Sequence, residues 1–88
     1  MASVKMYTTQ WCGYCAAARE LLRSKGVKFE DIDVDADQAL RQEMTEKSGG
    51  STVPQVFINN KPVGGYTDIA ALEQQGKLDE LLSQEGTE

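Results

Sequence analysis

Between Val4 and Val34 the chain changes period twice, and these changes constrain its fold more than any other feature. Val4-Lys5-Met6-Tyr7-Thr8 alternates apolar and polar residues, the pattern of a short strand. Ala18, Leu21 and Leu22 then recur at helical spacing, and Gly26 follows Arg23-Ser24-Lys25 as a stop. A helix is expected from about Gly13 to Lys25. Val27 to Val34 alternates again and reads as a second strand. A strand–helix–strand unit this short crosses over right-handed and leaves its strands parallel. Cys12 then sits where the first strand hands over to the helix, at the carboxyl edge of a sheet.

The second half has a different rhythm. Asp35 is placed to cap a helix that carries Leu40 and Met44 and stops near Ser48-Gly49-Gly50. Gln55-Val56-Phe57-Ile58 is a β-rich run, and Asn59-Asn60 supplies turn chemistry before Lys61-Pro62-Val63, so a hairpin is expected. After Gly64-Gly65, Thr67 and Asp68 read as a capping pair before a last helical stretch from Ile69 to Leu82. The order βαβα then ββα gives an α/β fold, a four-stranded mixed sheet flanked by helices. Residues 1–88 are expected to form a single domain with a frayed tail over about 83–88.

Several functions are disfavoured by composition. The net charge is −5, and the basic residues are spread without a run, so a nucleic-acid surface is not expected. No segment has the roughly 18 apolar residues of a membrane span. The start, MASVKMYTT, does not read as a secretion signal. A cytoplasmic location follows as the expectation, and reducing compartments rarely keep structural disulfides. A close cysteine pair there points to catalysis, redox sensing or metal binding.

The chain holds two cysteines and no histidine, which removes any Cys–His nucleophile arrangement. A zinc site would need further soft ligands that a lone Cys12/Cys15 pair lacks. Thiol exchange, by contrast, needs a thiolate, and a helix N-terminus favours an anion. Cys12 at the helix start gains that benefit, while Cys15, one turn inside, does not. The spacing thus makes unequal thiols: Cys12 to attack and Cys15 to resolve the mixed disulfide.

Trp11-Cys12-Gly13-Tyr14-Cys15, Tyr7-Thr8, Thr52-Val53-Pro54 and Gly64-Gly65-Tyr66-Thr67-Asp68 occur in order along the chain. With these motifs the sequence resembles the dithiol class of glutaredoxins, from about Val4 to Leu82. Tyr14 separates it from thioredoxins, which usually carry proline there. The resemblance implies a thioredoxin fold and a glutathione-dependent thiol–disulfide oxidoreductase acting on protein disulfides and glutathionylated proteins. It implies a glutathione site at Tyr14, Thr52, Val53, Pro54, Gly65, Thr67 and Asp68, with a cis peptide bond before Pro54. Val53 would pair with the tripeptide backbone, and Asp68 with the γ-glutamyl ammonium.

The chain departs from the family pattern at Thr9 and Gly50, where relatives carry cations for the glycine carboxylate; Lys47 is a nearby substitute in sequence. Gly13 stands where proline is common. Two alternatives accompany the main reading. One is a thioredoxin-like donor fed by thioredoxin reductase. The other is an iron–sulfur carrier in which Cys12 and glutathione hold a [2Fe–2S] cluster across a dimer; otherwise a monomer without metal is expected.

Overall fold

The computed structural model describes residues 2–84. Its strands are β1 (Val4–Thr8), β2 (Glu30–Asp33), β3 (Gln55–Ile58) and β4 (Lys61–Gly64), joined in one sheet of order β2-β1-β3-β4. The helices are α1 (Gly13–Ser24), α2 (Gln38–Ser48), α3 (Tyr66–Gln74) and α4 (Leu78–Ser83). β1 runs parallel to β2, with Tyr7 opposite Ile32, and antiparallel to β3, with Met6 opposite Val56. The expected mixed sheet is therefore present.

Alternation along the central strands assigns each residue a face. Val4 and Met6 of β1 join Val56 and Ile58 of β3 on one face, against Ala18 and Leu22 of α1, Ile69 of α3 and Leu78 and Leu82 of α4. Tyr7 and Phe57 point to the other face, where they pack with Val34 and with Met44 of α2. Their rings meet edge to face at 5.6 Å. Each core residue is shielded by a helix, so slipping either central strand by one residue would expose a whole face.

The β3–β4 turn follows its sequence: Asn59 and Asn60 take φ of 53° and 65°, the left-handed pair that a two-residue hairpin requires. Gly26 likewise ends α1 with φ of 70°.

Three expectations are corrected. β2 spans only Glu30–Asp33, because the apolar positions change phase between Phe29 and Ile32 and one strand cannot serve both. Asp37, not Asp35, caps α2 by accepting the Leu40 N–H at 3.0 Å. Asp35 instead accepts the N–H of Gln10 at 2.9 Å. The last helical stretch is broken at Gly76, with φ of 73°, into α3 and α4. Lys25 ties this corner together, its ammonium 2.8 Å from both Glu73 and Asp79. Of the expected frayed tail, Ser83 closes α4, its hydroxyl donating to the Glu80 carbonyl, and residues 85–88 lie outside the described residues.

Candidate active site

Cys12 is the N-cap of α1, with extended backbone, and its sulfur accepts the N–H of Cys15 at 3.1 Å. This is the position the sequence suggested, at the helix start, where a first-turn N–H has no partner within the helix and finds the sulfur instead. Across the cleft, the Cys12 thiol donates to the Val53 carbonyl at 3.7 Å. Cys15 is completely buried, and both thiols are free. Burial, and then the hydrogen bond with Cys12, push the Cys15 thiol up to about 11. The N–H of Thr9 and the charge of Arg19 oppose that rise without cancelling it. Cys12 is half-buried beside a helix donor, and burial holds the neighbouring Cys15 thiol in its protonated form.

Beside this pair lies a groove of about 460 Å³. All seven non-cysteine residues expected at the site line it: Tyr14, Thr52, Val53, Pro54, Gly65, Thr67 and Asp68. Cys12 is not part of the lining and touches it through Val53. The Val53–Pro54 peptide bond is cis. At the other wall Asp68 accepts the N–H of Gly65 at 2.9 Å. Gly65, not Thr67, is the N-cap of α3, so the capping role read for Thr67 is corrected; Thr67 lies inside the first turn. Among these residues backbone N–H groups at a helix start and a carboxylate stand together, a pairing suited to a ligand carrying both charges.

Three further lining residues, Gln55, Gly64 and Tyr66, were not among the expected glutathione contacts, although Gly64 and Tyr66 belong to the quoted motif. Buried Gln55 donates to the carbonyl and hydroxyl of Thr52 at 3.0 and 3.3 Å and so braces the turn before Pro54. Gly64 has φ of 105°, and a Cβ there would run into the Asp68 carboxylate. Tyr66 stacks on Tyr14 with centroids 6.3 Å apart, and both rings line the groove. The paired glycines were a signal for Gly64; nothing local announces the stacking of residues so far apart in sequence.

Lys47 does not replace the missing cations. It lines a separate cavity with Lys5, Tyr7, Phe57 and Asn60 and lies 3.8 Å from Glu43. Arg41 does approach, its guanidinium donating to the Ser51 carbonyl at 3.3 Å beside the Thr52 end of the groove. Among the described residues, no cluster of three His, Cys, Asp or Glu could hold a metal ion, and no helix is long and apolar enough to cross a membrane.

The glutaredoxin family model matches residues 4–63. A glutaredoxin of Pseudomonas aeruginosa is 51% identical over 83 residues, covering 94% of this chain and 99% of the relative. The solution structure of glutaredoxin from Brucella melitensis is 51% identical, with a TM-score of 0.83 over 93% of this chain and 89% of its own. The crystal structure of a buckwheat glutaredoxin–glutathione complex superposes with a TM-score of 0.86 at 27% identity, over 93% of this chain and 77% of that one. The fold is thus the thioredoxin fold, and neither the thioredoxin-like donor nor the iron–sulfur carrier is favoured by this kinship. An unequal thiol pair at a helix start, in a chain that matches this family over nearly its whole length, makes the protein a member of the glutaredoxin family and a thiol–disulfide oxidoreductase.

Proposed function

We propose that the protein uses glutathione as its reductant and reduces both protein disulfides and protein–glutathione mixed disulfides. The observation that carries this is the groove beside Cys12, bounded by Val53-Pro54 on one side and by Gly65, Thr67 and Asp68 on the other. Glutathione is the ligand of the buckwheat relative's complex. Here the tripeptide's cysteinyl backbone lies along Val53, and its γ-glutamyl end meets the start of α3 and Asp68. Arg41 is the cation that this chain offers to the opposite carboxylate.

With a glutathionylated protein, the Cys12 thiolate attacks the glutathione sulfur. A bond forms between Cys12 and glutathione, and the protein sulfur leaves as a thiolate and takes up a proton. A second glutathione thiolate then attacks the bound glutathione sulfur, which frees Cys12 and yields glutathione disulfide. With a protein disulfide, Cys12 first forms a mixed disulfide with the target. Cys15 gives up its proton, attacks Cys12 and releases the reduced target, leaving a Cys12–Cys15 disulfide that two glutathione molecules reduce. Glutathione reductase and NADPH sustain the cycle. A potential of about −200 to −230 mV suits that donor and a reducing, cytoplasmic setting.

A glutathione-coupled reductase assay tests the reading. Cys12→Ser should abolish all exchange, whereas Cys15→Ser should keep deglutathionylation, which needs only the attacking sulfur. Equal loss in both variants would overturn the roles given to the two thiols. A [2Fe–2S] dimer would draw on the same Cys12 and groove, with two glutathione thiolates completing the ligand set. Reconstitution with iron, sulfide and glutathione, read by visible absorbance and size exclusion, tests it as a side activity.

A further inference from the structure

The groove accounts for one flank of Cys12. The other flank is Trp11, which is 94% exposed and does not line the groove. Isolated exposed apolar residues need no explanation. Here, however, the two exposed large hydrophobic side chains among the described residues are Trp11 and Tyr14, one and two residues from Cys12 in sequence. Tyr14 is committed to its stack on Tyr66. Trp11 stands alone.

Its loop is anchored. The N–H of neighbouring Gln10 donates to Asp35 at 2.9 Å, and the N–H of Asp35 donates to Asp33 at 2.8 Å. The Val34 N–H donates to the Thr8 carbonyl at 2.9 Å and fixes the same corner. An indole is therefore presented on a pre-organised support, which lowers the ordering cost of binding to it. The support is also anionic. Asp33 at the end of β2, Asp35 in the loop and Asp37 at the cap of α2 take alternate positions and are exposed. The ion pairs among the described residues engage Asp31, Glu20, Glu43, Glu73 and Asp79, and none of these three.

An exposed indole next in sequence to the Gln10–Asp35 bond, with the three aspartates of that corner outside the ion pairs among the described residues, complements one kind of side chain particularly well. A guanidinium stacks on the ring and pairs with a carboxylate, and an ammonium does so less well. We propose that Trp11 and the acidic β2–α2 loop form a docking surface for polypeptide disulfides flanked by arginine or lysine, distinct from the groove that takes the glutathione tripeptide. The inference rests on the proposed reduction of protein disulfides by Cys12. Docking changes nothing in that exchange. The Cys12–target bond forms as the target S–S bond breaks, and the second target sulfur leaves as a thiolate.

The test is single-turnover reduction of two synthetic peptide disulfides by the pre-reduced protein, followed by separation of the free peptide thiols. The peptides differ only in carrying arginine or glutamate beside the disulfide. The arginine peptide should react about tenfold faster at low ionic strength, and the advantage should shrink in high salt as the charges are screened. Trp11→Ala and Asp35→Asn should each remove most of that advantage; Asn still accepts the Gln10 N–H. Both variants should keep the wild-type rate on a small glutathione mixed disulfide in the coupled assay. Equal rates on the two peptides, or an equal loss on peptide and glutathione substrates, would overturn the docking surface. Failure of the wild type in the glutathione assay alone would overturn the glutathione reading instead, since the peptide comparison needs no glutathione.

Discussion

Replacing Asp31 by alanine removes one carboxylate that joins three elements close to the reactive thiols. Its oxygens accept the Thr8 hydroxyl and the Arg19 Nε–H, each at 2.6 Å, so that β2 is fastened to the end of β1 and to the middle of α1. Thr8 is buried at 1% exposure, and its hydroxyl would lose its acceptor away from water, at about 1–3 kcal/mol. The Arg19–Asp31 pair, with side chains 21% and 35% exposed, adds at most about 1 kcal/mol after solvent screening. Asp31→Ala should therefore destabilise the reduced protein by roughly 2–3 kcal/mol, a fall in Tm of roughly 8–24 °C for a domain this size. Urea unfolding of the reduced protein measures the loss. In a Thr8→Val background, where no hydroxyl needs an acceptor, Asp31→Ala should cost only the ion pair, about 1 kcal/mol or less. A loss under about 0.5 kcal/mol, or the same loss in both backgrounds, would refute the account of Thr8 as the costly partner.

The high Cys15 pKa carries a stability signature. The folded thiol, at about 11 against an ordinary 9.0, holds its proton more tightly than the unfolded one. That stability is complete below pH 9 and is lost as pH rises through 11, by about 2 kcal/mol at pH 11. Tyr7, raised to about 12 by burial and then by its bond to Glu43, extends the decline. Urea midpoints should fall from pH 9 upward in the wild type and later in Cys15→Ser; a shared profile would contradict the assignment. Gly64→Ala meets both a positive φ and the Asp68 carboxylate, and should cost at least about 1 kcal/mol and raise KM for glutathione substrates. Gly13→Ala, with open space around its Cβ, is the contrasting control in the same melts and should do neither. Asp68→Asn keeps an acceptor for the Gly65 N–H but loses the charge, so KM should rise about fivefold with little change in Tm. Asp68→Ala should lower both affinity and stability, and an unchanged KM in both variants would separate Asp68 from the ligand.

By itself the sequence determined whatever depends on neighbours along the chain. The alternation of Val4–Thr8 and the β-rich run Gln55–Ile58 mark two strands, Gly26 stops α1, and Asn59-Asn60 make a hairpin turn because those residues tolerate left-handed backbone. It also determined the inequality of the thiols, since three residues of helix separate an N-cap from a buried position. Tertiary structure decided what depends on partners distant in sequence. Asp35 and Asp37 are the same residue type two positions apart, and one caps α2 while the other serves Gln10, because only the fold brings the Gln10 N–H within reach. Lys47 is six residues from Val53, yet the turn of α2 directs it to another cavity and leaves Arg41 near the groove. Tyr66 at the start of α3 gains its meaning from Tyr14 in the first turn of α1. A turn or a cap is fixed by torsional preferences written into each residue, whereas a partner across the fold is fixed by which buried donors and acceptors the packed helices leave to be satisfied.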